Sequence, residues 1–290
     1  MRRFVACALL PFVVGCARGT PARSPAAATT PAATPTEIPT PSPTPDPWVA
    51  ARVFESPDAA TLASRLVEAE AAIHAPEATE DAILQAARVE QAAYRQLVAR
   101  PAWVAHVLAS VPGTLRPVVR AHVDAGTSLR RLTPPRDTLP KWRIVAPRPA
   151  AELRRYYDEG QATFGVPWYV LAAVNFVETR FGRIRGLSSA GARGPMQFIP
   201  ATWATYGRGN IDDPHDAILA AARYLAASGT PRDVSRALYH YNPSRLYVRA
   251  VLTYAHRMRD DPAAFGAYYH WRVYVATKRG DALLDEGWRA

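Results

Sequence analysis

Residues 167–182 read Pro167-Trp168-Tyr169-Val170-Leu171-Ala172-Ala173-Val174-Asn175-Phe176-Val177-Glu178-Thr179-Arg180-Phe181-Gly182. A proline at the front suits the first turn of a helix, whose leading N–H groups have no partner within it. Gly182 suits its stop. Trp168 to Val177 put apolar side chains on nearly every face, the pattern of a helix buried on all sides. Glu178 closes that run in the last turn. Burial disfavours its charged form, and so does the negative end of the helix dipole, so both raise its pKa. Arg180 is two residues away and does not share its face. Two readings follow. Glu178 is either a buried salt bridge to Arg183 or Arg193, or a carboxyl kept protonated near neutral pH, as a general acid requires.

Working downstream, the chain continues Ser188-Ser189-Ala190-Gly191-Ala192-Arg193-Gly194-Pro195-Met196-Gln197-Phe198-Ile199-Pro200-Ala201-Thr202-Trp203, and later Tyr241-Asn242-Pro243. Glu178, Ser188, Gly191-Ala192, Gly194-Pro195-Met196-Gln197, Pro200 and Tyr241-Asn242 together resemble the SLT-type lytic murein transglycosylases, which carry a goose-lysozyme-like catalytic domain. The resemblance covers roughly residues 150–260. It implies a mainly α, lysozyme-like fold, with Glu178 catalytic and Ser188, Met196, Gln197, Tyr241 and Asn242 binding substrate. Four of the five also have a plain structural reading: Ser188 as a loop serine, Met196 as a core methionine, Tyr241 as a core tyrosine and Asn242 as a helix cap. Three positions depart from the pattern. Thr179 stands where serine is usual and keeps the hydroxyl, Pro195 replaces leucine, and Pro243 follows Asn242 where a small residue is usual.

The resemblance implies cleavage of the β-1,4 bond between N-acetylmuramic acid and N-acetylglucosamine in peptidoglycan strands. Glu178 alone would protonate the linking oxygen and then deprotonate the muramoyl C6 hydroxyl, leaving a 1,6-anhydromuramoyl end. An intramolecular nucleophile has a high effective molarity and needs no second carboxylate. No cofactor is expected, and the seven histidines show no metal-ligand spacing. Two rivals stand beside this reading. A hydrolytic muramidase would use Asp212, Asp213 or Asp216 to position water, although capping of one helix start also accounts for those aspartates. A non-catalytic wall-binding lipoprotein would keep the fold without the chemistry.

Working upstream, Arg2-Arg3 precede a short apolar stretch, Phe4 to Val14, as in a secretory signal, and Val13-Val14-Gly15-Cys16 resembles a lipobox. Residues 1–15 are therefore expected to be a lipoprotein signal peptide, with Cys16 lipidated and the protein exported and membrane-anchored facing the cell wall or periplasm. Cys7 and Cys16 are the two cysteines of the chain, so no disulfide is expected in its folded part. Residues 16–47 form the linker, and nine prolines among residues 21–47 make it an extended tether. Residues 48–133 read as a helical accessory region, with helix starts at Ser56-Pro57, Pro76, Pro101 and Pro112. Residues 134–149 read as an extended connection and residues 150–265 as the catalytic domain, with further starts at Pro149, Asp213-Pro214, Thr230-Pro231 and Asn242-Pro243. Residues 266–290 form a C-terminal extension in which Trp271, Val273 and Val275 alternate like a strand. The chain of 290 residues has a formal net charge of +10. That suits an anionic polymer or lipid surface, but no run of basic residues suggests nucleic acid.

Overall fold

A computed structural model describes residues 45–289, so the expected signal, Cys16 and most of the linker lie outside the described residues. Among the described residues there are twelve α-helices and two small antiparallel sheets. The mainly α, lysozyme-like expectation therefore holds.

The first helices are set by polar caps. A short turn of helix, α1 (Pro47–Ala50), is capped by Asp46. α2 (Ala59–Ile73) begins where the Asp58 carboxylate accepts the Thr61 N–H at 2.7 Å. α3 (Glu80–Ala99) begins where the Thr79 hydroxyl accepts the Ala82 N–H. A 3₁₀ turn (Pro101–Trp103) leads into α4 (Val104–Ser110), followed by α5 (Arg116–Leu132). The prolines at 57, 76 and 112 thus precede these helices by two to four residues. At α2 and α3 a side chain that satisfies an orphan N–H decides the start, while α5 has no side-chain cap and carries Pro117 in its first turn.

The second half holds α6 (Ala150–Phe164), α7 (Trp168–Thr179), α8 (Pro200–Tyr206), α9 (Pro214–Ala227), α10 (Val234–Tyr241), α11 (Arg245–Asp260) and α12 (Pro262–Tyr269). α7 is the buried helix of the sequence: Val170 to Phe176 are all buried, and α6, α9 and α11 pack around it. Asp213 caps α9 as its Asp-Pro pair suggests. At the other two such pairs the start moves downstream. Asp233 caps α10 in place of Thr230, and Ser244 caps α11 in place of Asn242.

One apolar core continues from the first helices into the second half, from Leu62 and Leu97 through Phe176 to Trp271. α5 lies along α11, and α3 touches α12. The His122 ring on α5 stacks on Tyr94 at 4.1 Å between centroids and bonds the Tyr268 hydroxyl at 2.6 Å. The chain closes in a hairpin, β3 (Val273–Thr277) and β4 (Gly280–Leu284), with Val273, Val275 and Thr277 facing inward.

Residues 134–149 do more than connect. Within them β1 (Arg143–Ile144) pairs antiparallel with β2 (Ile184–Arg185), which follows directly on the Glu178 helix. Backbone pairing of this kind leaves no side-chain signature in two-residue strands.

Candidate active site

Glu178 lies in the last turn of α7, where the chain leaves the helix through three residues of positive φ, two of them strained. Arg180 and Phe181 take the left-handed conformation, at φ 52° and 60°, before Gly182 at φ 82°. For a non-glycine residue this costs about 1–2 kcal/mol, and such strain concentrates where the surroundings over-determine the backbone. Thr179 supplies part of that support. Its fully buried hydroxyl donates to the Pro195 carbonyl at 2.6 Å and accepts the Gly182 N–H at 2.9 Å. Asn175, one turn earlier, donates to the same carbonyl at 2.9 Å and is itself held by the Tyr157 hydroxyl. The turn after Glu178 and the Gly194–Gln197 loop are thereby tied together.

Neither salt bridge open to Glu178 in the sequence forms. Arg183 pairs with Glu286 and donates to the Tyr269 carbonyl, while Arg193 pairs with Asp212. Arg180 turns back, with Nη1 donating to the Phe176 carbonyl at 2.9 Å and its guanidinium over the Phe176 ring. The partner of Glu178 is Tyr247, whose hydroxyl donates to Oε1 at 2.7 Å. Burial pushes the carboxyl up to about 7, against the Tyr247 hydrogen bond, which favours the carboxylate.

Tyr247 is absent from the sequence-level candidates. It lies on the buried stripe of α11 with Ala250, Val251 and Tyr254, so its spacing spells core. Only its hydroxyl reaches Glu178, and only the fold aims it.

The other candidates fall around the Gly194–Gln197 loop. Tyr241 at the end of α10 donates its hydroxyl to the Met196 carbonyl at 2.6 Å, and Glu178 is near enough to help raise its pKa. The Met196 side chain is fully buried, so a ligand outside would meet its neighbours rather than its thioether. Gln197 is held at φ 50°, with Nε2 donating to the Gly194 carbonyl. Ser188 accepts the N–H groups of Ala190 and Ala192 at 3.2 and 3.0 Å, closing its own loop with its hydroxyl proton still to give. Asn242 is half-buried, and Ser244 performs the capping its position suggested. The aspartates are committed elsewhere: Asp212 to Arg193, Asp213 to the first N–H groups of α9, and Asp216 to the Asn210 N–H.

Residues 155–261 match the family described as the transglycosylase SLT domain. That region is an SLT domain. Eighty residues of the chain are 32% identical to the membrane-bound lytic murein transglycosylase F of Thiobacillus denitrificans, covering 28% of this chain and 17% of that relative. The chain thus spans about a sixth of the length of the curated relative it matches. No solved structure matches the chain. Glu178, Tyr241 and Tyr247 all fall within the SLT domain, whereas β1 lies before it.

Proposed function

We propose that the protein is a peptidoglycan lytic transglycosylase that cleaves between N-acetylmuramic acid and N-acetylglucosamine, with Glu178 as its one acid and base. The observation that carries this reading is the setting of Glu178: it ends α7 bonded to the Tyr247 hydroxyl and free of Arg183 and Arg193, and burial pushes its carboxyl up to about 7. A group so poised gives a proton to the departing glycosidic oxygen and takes one back from the C6 hydroxyl at the same pH. Tyr247 holds the carboxylate that forms between the two steps. The muramoyl oxygen that attacks belongs to the same sugar, so the new C1–O6 bond replaces the glycosidic bond and no water enters. Ser188, Gln197, Tyr241 and Asn242 are proposed as contacts to the sugar rings.

The aspartates support the single-carboxylate route over hydrolysis. Asp212, Asp213 and Asp216 each have structural work, and none acts on Glu178. The signal and lipobox-like residues support an enzyme exported and held on a lipid anchor at Cys16. None of the described helices is long and apolar enough to cross a membrane.

The deciding experiment is mass spectrometry of muropeptides released from purified peptidoglycan by the unacylated protein, with Glu178→Gln as control. Anhydromuramoyl ends that vanish in the variant are expected. Reducing ends would replace this reading with hydrolysis, and no release would favour the wall-binding protein.

A further inference from the structure

A cavity of about 580 Å³ lies beside the catalytic loop, lined by Arg143, Val145, Ile184, Arg185, Arg193 and Asp212 among others. Glu178 is not in its wall, but Gly194 is, and the next residue, Pro195, carries the carbonyl that fixes α7. The cavity therefore shares a loop with the active site without being part of it.

Its charge is arranged at a cost. Arg143 stands directly opposite Arg185 in the β1–β2 ladder, and a bridge on its other side sets it opposite Arg289. Directly opposed residues of antiparallel strands project on one face about 5 Å apart, where like charges repel. The one carboxylate in the wall, Asp212, is already held by Arg193. Arg185 donates Nη1 to the Asp212 carbonyl at 3.0 Å, which leaves most of its fork unspent. Among the described residues neither Arg143 nor Arg185 has a carboxylate within salt-bridge reach. Burial weakens the hold of Arg185 on its proton; the nearby Asp212 opposes this, and Arg143 and Arg148 add a smaller repulsion. A row of opposed arginines facing an open cavity is a receptor for an anion, and the fork geometry of guanidinium matches a planar carboxylate.

We propose that this cavity binds the carboxylates of the peptide carried by the glycan strand, through Arg143 and Arg185, so that peptide-bearing strands are preferred to bare ones. The inference rests on the proposed glycan substrate. It names a peptide on the same strand, and not a separate phosphate polymer, because the cavity and the cleft share the Gly194–Gln197 loop. Arg143 and Val145 lie before the SLT domain, so the preference belongs to the flanking segment.

The test compares kcat/KM on intact glycan strands with strands stripped of peptide by an amidase, for wild type, Arg143→Gln and Arg143→Lys. The ratio of intact to stripped is expected to fall about tenfold in Arg143→Gln, the worth of a hydrogen bond to a charged group, and to recover in part in Arg143→Lys. An unchanged ratio overturns the proposal. Binding is read separately, by titrating a soluble peptide-bearing muropeptide and its carboxyl-amidated form into the Glu178→Gln protein. Selective binding of the free-carboxylate form, weakened by Arg143→Gln, supports the subsite even if no cleavage is seen, which would count against the activity alone. Tighter binding of a polyol phosphate at the same arginines would assign the cavity to that polymer and overturn the peptide.

Discussion

The end of α7 and the seam where α2 and α3 face α11 and α12 each hold a glutamate of raised pKa, yet the two carboxyls do different things. Glu90 on α3 is 3% exposed, and burial together with the neighbouring Glu70 raises its pKa well above the usual range. Its surroundings are closed. Trp271 Nε1 donates to it at 3.0 Å, Tyr94 donates to Glu70 at 3.2 Å, and Arg257 links Glu70 to Asp261. Glu178 also owes its raised pKa to burial, but it has one partner and lies beside the strained turn and the substrate loop. A raised carboxyl pKa is therefore common to both regions. What separates them is closure: Glu90 is sealed in a network with Glu70, Trp271 and Arg257, whereas Glu178 is only half-buried, with Tyr247 as its partner and a proton to exchange.

The contrast breaks first at Glu178. Replacement by glutamine is expected to lower kcat by about 10³-fold or more, as loss of a sole acid and base should. Its stability should move the other way. The folded state holds the proton of Glu178 more tightly than the unfolded chain does. The wild type therefore loses stability as pH rises from about 4.5 to about 7 and does not regain it above. Urea unfolding should find the variant more stable by about 2 kcal/mol at pH 8 and little changed at pH 4. Equal stabilities at both pH values would mean that Glu178 is not held up by burial.

At the seam the expectation is reversed. Arg257→Ala leaves Glu70 and Asp261 without their shared cation, so unfolding free energy should fall by about 2–3 kcal/mol. The kcat/KM of the folded fraction should stay near that of the wild type. A large loss of kcat/KM with intact stability would show that the seam serves the cleft after all.

Tyr247→Phe sharpens the comparison at a smaller scale. Removing the donor that favours the Glu178 carboxylate should carry its pKa above about 7. The limb of the pH profile of kcat/KM on which activity falls with rising pH should shift to higher pH, with about a tenfold lower maximum. A limb that stays put would detach Tyr247 from the titration. The smallest effect is expected at the arginine row, where Arg143→Gln should raise stability by a few tenths of a kcal/mol as the opposed charges are relieved. A fall in thermal midpoint would show the row to be structural.

Much of this protein was legible before the fold. The all-round apolar run from Trp168 to Val177 requires a buried helix, and a glutamate at the end of such a helix must be desolvated, whatever packs around it. Asp213-Pro214 gave its helix start because cap and first turn are neighbours in the chain. Pro57, Pro76 and Pro112 marked the right neighbourhoods but not the starts: Asp58 and Thr79 cap the first two helices further on, and the third begins at Arg116-Pro117 without a side-chain cap.

The tertiary structure decided what depends on long-range geometry. It gave Arg183 and Arg193 other partners, so that the salt bridges open to Glu178 in the sequence did not form. It picked Tyr247 from a stripe of core residues, because a buried ring and an aimed hydroxyl have the same helical spacing. It also laid Arg143 opposite Arg185 from segments forty residues apart, through backbone hydrogen bonds to which side-chain identity contributes nothing. Local sequence sets which groups are available and what burial does to them, while only the packed chain sets which of them meet.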